Sequence, residues 1–271
     1  MKTLKVAVSS PYDKNLYSLL VAQICLDEPG IELVGVCCLK VWSLKRILFE
    51  IKRLGPSLIK KIRIKYFSFS TKKDEYDNSA ELRKKYNLEY NSLSDLCSKS
   101  KISYLKASDP NDTKVITFLG IQDVDLILSI GSVILKRDFI SIPKMGVINI
   151  HKGILPQYRG MGVTEWPLLL KKKQEDAELG VTSHLIELGV DTGPILLKKH
   201  LSLRLLNGIE EIESKYLELT VEAMHLSIKS AKEKFINKIE QEQGKGKQYF
   251  ELHPRLKKLV EHKLERYFDE T

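Results

Sequence analysis

The chain has 271 residues, with 43% hydrophobic and 29% charged residues. That supports a folded core with room for one large domain or a domain plus an appendage, and it excludes a disordered chain. A formal net charge of +9 favours acidic partners such as phosphates, nucleic acid or an anionic membrane, or else describes a solvated basic surface.

The N-terminal residues MKTLKVAVSS turn polar too quickly for a signal peptide, and KVAVS (5–9) reads as a first strand. SPYDKN supplies turn residues, LYSLLVAQICL carries helical spacing, and IELVGVCCL (31–39) follows the Pro29-Gly30 turn as a second buried strand. KISYLKA (101–107), DLILSI (125–130) and GVINI (146–150) are further strands, separated by helical stretches around 111–120 and 135–141. Strands alternating with helices predict a mostly parallel sheet covered on both faces. VTSHLIEL (181–188) and PILLKKHLSL (194–203), joined by Gly-Val-Asp-Thr-Gly, predict an antiparallel pair at the far side of that sheet.

Between Lys40 and Lys73 lies a basic stretch in which Leu44, Ile47, Leu48, Ile51 and Leu54 recur at helical spacing opposite Lys45, Arg46, Lys52 and Arg53. It reads as an amphipathic helix lying on the core, or as a phosphate-binding or membrane-surface insert. After 204 the chain reads as helical through about 240. QGKGKQ (243–248) is a flexible joint, and the segment Phe250 to Phe268 is a basic terminal helix that packs on the core or pairs two copies as a homodimer. No apolar run approaches the roughly 18 residues of a membrane span. Cys25, Cys37, Cys38 and Cys97 show no C-x-x-C spacing and read as buried free thiols, so the expected location is cytoplasmic. No His/Cys/Asp cluster has zinc-like spacing, so no metal is expected.

The chemistry concentrates in GVINIHKGILPQYRGMGVTEW (146–166) and GVTSHLIELGVDTGPIL (180–196). Residues two apart on a strand share a face, so Asn149 and His151 project together where open α/β sheets bind ligands. An amide donor beside an imidazole suits acyl transfer, whose tetrahedral intermediate develops an oxyanion. A satisfied structural histidine fits the same pattern. Asp191, between Gly189 and Gly193, is free to approach His151, orient the ring and take a proton, and an ordinary turn aspartate reads the same way.

Asn-Ile-His, Ile-Leu-Pro-x-Tyr-Arg-Gly, Gly-Val-Thr-x-His and Gly-Val-Asp-Thr-Gly-Pro-Ile-Leu, in this order and spacing, resemble the 10-formyltetrahydrofolate-dependent formyltransferases. That family includes methionyl-tRNA formyltransferase, glycinamide ribonucleotide formyltransferase and N-formyltransferases of nucleotide-linked amino sugars. The resemblance runs from about Asp125 to Leu203. It implies a Rossmann-like formyltransferase fold, with residues 1–205 as the catalytic domain carrying a basic insert at about 40–100, and 206–271 as a helical C-terminal extension. It also implies that Asn149, His151 and Asp191 form the catalytic trio and that 10-formyltetrahydrofolate is the formyl donor. The pterin would lie between Ile130, Gly131, Val133 and Ile134 on one loop and Leu188, Gly189 and Val190 on another. Lys14, Asn15, Tyr158 and Arg159 are the candidate substrate contacts. Many members have Ser-Leu-Leu-Pro where this chain has Gly-Ile-Leu-Pro (153–156), and His184 matches a position often histidine in the family.

The implied acceptor is a small-molecule, phosphate-bearing primary amine. Methionyl-tRNA enzymes of the family carry a C-terminal β-barrel, whereas residues 206–271 read as helical, which argues against a nucleic-acid partner. The purine-pathway enzyme has a glycine-rich turn after its first strand, and SSPYDKNL has no glycine. A nucleotide-linked amino sugar is therefore the expected acceptor. Methionyl-tRNA and glycinamide ribonucleotide stay open as alternatives, as do hydrolysis of the formyl donor and a nucleic-acid-binding protein with a degenerate site.

Overall fold

A computed structural model describes residues 3–40, 80–131, 133–233, 237–242 and 244–270. The basic stretch and its amphipathic spacing over 44–54 lie outside these residues.

The main sheet has seven strands in the order β3-β2-β1-β4-β5-β7-β8. These are β1 (Leu4–Ser10), β2 (Ile31–Leu39), β3 (Ser103–Ala107), β4 (Leu126–Ser129), β5 (Val147–His151), β7 (Leu179–Leu185) and β8 (Ile195–Leu201). Strands β3, β2, β1, β4 and β5 run parallel, and β7 is antiparallel to both β5 and β8. The continuous apolar runs of the sequence thus become parallel strands buried on both faces, and the last pair forms the antiparallel hairpin expected of them. The strand order reverses between β1 and β4, where Ile130 N–H donates to the Ser9 carbonyl across 2.8 Å. Ligand crevices of open α/β sheets lie at such a reversal, beyond the carboxyl ends of the strands.

Helices cover both faces. α1 (Leu16–Asp27) buries Leu19, Leu20, Val21, Ala22 and Cys25 completely, as expected for a helix apolar all round. It packs on β1 and β2 beside the long α6 (Glu210–Lys232), which lies against β5, β7 and β8 and whose His225 and Lys232 bond Glu28 at the end of α1. α2 (Leu93–Lys99) precedes β3 and adds Leu93, Leu96 and Cys97 to this core. α3 (Thr113–Ile121) and α4 (Arg137–Ile140) cover the opposite face, where Val115, Leu119 and Phe139 meet Ala7, Cys37, Ile127 and Val147. All four cysteines are buried and free. Among the described residues, no helix is long and apolar enough to cross a membrane.

The C-terminal helices pack on the core: Tyr216, Val221, Met224 and Ile228 of α6, and Val260 and Leu264 of α7 (Pro254–Glu270), share one apolar cluster with β1 and α1, and Lys263 of α7 donates to the Leu169 carbonyl of α5 (Glu165–Leu170). One feature differs from the sequence reading. The stretch read as a flexible joint leads into a strand, β9 (Lys247–Tyr249), which pairs in parallel with β6 (Tyr158–Gly160). Backbone pairing fixes this segment where side-chain composition gave no strand signal.

Candidate active site

β5 alternates in the way its sequence dictates. Ile148 and Ile150 enter the core shared with α1 and α6, while Val147 faces α3 and α4. Asn149 and His151 fall on the face of Val147 by the two-residue period of a strand. In the antiparallel register with β7, Asn149 lies opposite His184 and His151 opposite Thr182. Directly opposed residues share a face and touch.

The hydrogen bonds assign proton positions. His184 Nδ1 lies 2.8 Å from the Leu185 carbonyl, which can only accept, so Nδ1 carries the proton. Nε2 of His184 is then an acceptor, 3.2 Å from Nδ2 of Asn149. Burial pushes the His184 pKa down to about 4, against the opposing pull of Asp191. A neutral His184 thus takes one amide N–H of Asn149 and leaves the second free to donate.

His151 is also buried, and its Nε2 donates to the Tyr158 carbonyl across 2.7 Å. Its Nδ1 faces Asp191 Oδ2 at 3.4 Å. In the neutral ring Nδ1 therefore holds the lone pair, facing the Asp191 carboxylate. The Asp191 carboxylate is held by Gly160 N–H, which donates to its Oδ2 at 2.8 Å; its Oδ1 lies 3.7 Å from His184 Nε2, and its backbone has a left-handed φ of 53°. Neighbouring Gly193 is required by close approach, since a Cβ there would fall on the Leu185 carbonyl.

The structure thus brings Asn149, His151 and Asp191 together around a fourth residue, His184, which the sequence marked only as matching a position often histidine in the family. The flanking loops meet the crevice unevenly. Val133, Ile134, Leu188 and Val190 are exposed apolar residues on the two loops expected to flank the pterin, whereas the Ile130 side chain is buried in the core. Asn111 braces the first loop, donating to the Ile134 carbonyl and accepting from Lys136 N–H. A shallow depression lined by Arg137, Ile140, Ser141, Glu187 and Leu188 adjoins the second loop.

The candidate substrate contacts are placed differently from one another. Asn15 caps α1 through Ser18, and Lys14 beside it is exposed. The same turn carries Asp13, which accepts from Ser94 N–H, Ser94 Oγ and Tyr104 Oη. Burial raises the Asp13 pKa, but the hydrogen bonds from Tyr104 and Ser94 outweigh it and hold the carboxyl below its ordinary value. Tyr158 and Arg159 belong to the short strand β6. Tyr158 is buried, with its ring 5.5 Å from that of Tyr249, and Arg159 Nη2 donates to the Lys245 carbonyl. Backbone pairing with β9 holds them there. Tyr158 reaches His151 through its carbonyl, a contact that side-chain identity does not announce.

Gln241 was not visible in the sequence either. It donates to the carbonyls of Asp191 and Gly193. Among the described residues, no group of three or more His, Cys, Asp or Glu side chains is placed to hold a metal.

A methionyl-tRNA formyltransferase from Nostoc sp. is 34% identical over 120 residues, 42% of this chain and 34% of the relative. The chain spans about a third of the length of the curated relatives it matches. An N-formyltransferase from Helicobacter canadensis, solved with folinic acid and dTDP-3-aminofucose, shares the fold at a TM-score of 0.54 and 16% identity, covering 92% of this chain and 71% of that one. Phosphoribosylglycinamide formyltransferase from Bacillus halodurans shares it at 0.51 and 14%, covering 86% and 100%. Residues 66–228 match the family described as Formyl transferase, a span that begins well before the Asp125 to Leu203 stretch carrying the sequence resemblance. The chain belongs to the formyl transferase family.

Proposed function

We propose that the chain transfers a formyl group from 10-formyltetrahydrofolate to the amino group of a nucleotide-linked amino sugar, with Asn149, His151 and Asp191 as catalytic residues. The observation that carries this reading is the convergence of a free Asn149 N–H and a lone-pair-bearing His151 Nδ1 on one face of β5, beside the Asp191 carboxylate.

A formyl carbon under attack by an amine becomes tetrahedral, and its oxygen gathers negative charge. The free N–H of Asn149 meets that charge. The attacking nitrogen gives up a proton to Nδ1 of His151, and Asp191 stabilises the resulting imidazolium. Breaking the old carbon–nitrogen bond leaves the formyl group on the acceptor, and the departing nitrogen takes up a proton. The donor fits the crevice chemically. Val133, Ile134, Leu188 and Val190 are apolar and exposed, which suits the two faces of a flat ring, while loop backbone groups suit its hydrogen-bonding edge.

Two observations support a sugar nucleotide as acceptor. The likeness to the Helicobacter canadensis N-formyltransferase extends over 92% of this chain, well beyond the catalytic motifs. The turn after β1 has no glycine and carries an anion of its own, Asp13, which disfavours a phosphate seated there as in glycinamide ribonucleotide. Incubation with 10-formyltetrahydrofolate and, in turn, nucleotide-linked amino sugars, glycinamide ribonucleotide and methionyl-tRNA tests the reading. Formamide is expected on the amino sugar alone. Formylation of another acceptor, or formate released without any amine, overturns it.

A further inference from the structure

The segment from Ile239 to Tyr249 follows α6 at a distance of several residues, yet it returns to the site from the far end of the chain. Ile239 and Ile195 exchange both backbone hydrogen bonds, at 2.8 and 2.9 Å, which pins the segment to the start of β8. Two residues on, Gln241 Nε2 donates to the carbonyls of Asp191 at 2.9 Å and Gly193 at 2.7 Å. Its Oε1 is buried without a hydrogen-bond partner, so the carboxamide is held by its donors alone. Further along, Arg159 donates to the Lys245 carbonyl, and β9 pairs with β6, whose Tyr158 carbonyl and Gly160 N–H bond His151 and Asp191.

We propose that Gln241 is a positioning residue for formyl transfer: by clasping the Asp191 and Gly193 carbonyls it holds Asp191 in its left-handed backbone conformation and aims the carboxylate at His151. This rests on the catalytic reading of Asp191. An L-residue leaves the left-handed region readily unless its neighbours fix it, and Asp191 sits there between glycines, where the chain has the most freedom to relax. One nitrogen with two N–H groups can reach both carbonyls at once. A carboxylate of the same shape cannot donate to either. The site is then completed by the C-terminal segment, outside the stretch that carries the sequence motifs.

The test uses the full chain with Gln241→Glu, Gln241→Leu and Gln241→Lys, alone and combined with Asp191→Asn. Gln241→Glu and Gln241→Leu are expected to lower kcat roughly ten- to a hundredfold, as a displaced catalytic group does, with the KM for the formyl donor nearly unchanged. Gln241→Lys, which keeps N–H donors of similar reach, is expected to fold and retain most of kcat. In the Asp191→Asn background, Gln241→Glu is expected to add no further loss, because the two act through one group. Wild-type kcat in Gln241→Glu, an equal loss in both backgrounds, or a folded Gln241→Lys as impaired as Gln241→Glu overturns the proposal while leaving Asp191 its role. Full activity in Asp191→Asn removes the catalytic reading and this proposal with it.

Discussion

Asn149 donates one amide N–H to Nε2 of His184 across 3.2 Å, and the two residues are direct partners in the β5–β7 register. The bond fixes which way the amide faces, since oxygen and nitrogen of a free carboxamide exchange by a simple flip. His184→Phe removes the acceptor and is expected to lower kcat about ten- to a hundredfold, as a poorly aimed oxyanion donor does. His184→Gln restores an acceptor and is expected to recover part of that loss. Steady-state kinetics of the two variants decide it, and equal activity in His184→Phe and the unaltered chain contradicts the role.

The same histidine predicts a pH dependence of stability. Its pKa is about 4 when folded and 6.5 ordinarily, so folding opposes its protonation. Above pH 6.5 the ring is neutral in both states and costs nothing. As pH falls from 6.5 towards 4, the unfolded chain takes the proton first and stability is lost. Denaturation midpoints across that window are expected to fall more steeply for the unaltered chain than for His184→Gln. Parallel curves would show that His184 does not contribute.

Gly153 makes room for His151. A Cβ there would lie 2.9 Å from His151 Nε2 and 3.0 Å from Val163 Cβ, while Nε2 is already bonded to the Tyr158 carbonyl. The serine common at this position in the resembled sequences does not fit this ring placement unmoved. Gly153→Ala is expected to cost about 1–3 kcal/mol of stability by overpacking and to lower kcat at least tenfold by displacing the ring. Chemical denaturation and kinetics measure both, and a fully active Gly153→Ala would show that the ring position is not what catalysis needs.

The strands were legible because apolar runs in this chain leave little else to be: VAV, VGVCC and LIL become β1, β2 and β4, buried on both faces. Asn149 and His151 could be placed on one face from their spacing, and the resemblance supplied Asp191. The proton positions could not be read, since they depend on the Leu185 and Tyr158 carbonyls that fold against the two rings. Nor could the clasp by Gln241 or the pairing of β6 with β9, because three-residue strands carry no periodicity and backbone carbonyls are common to every residue. Asn15 showed the reverse case, a polar residue in a candidate site whose oxygen the helix it caps already engages.

The kcat of folded Asn149→Ala tests the central claim most directly. If the free N–H of Asn149 stabilises the developing oxyanion, kcat for formyl transfer falls roughly a hundred- to a thousandfold while the KM for 10-formyltetrahydrofolate changes little. Near-native kcat in a folded Asn149→Ala would make the residue structural and contradict the account.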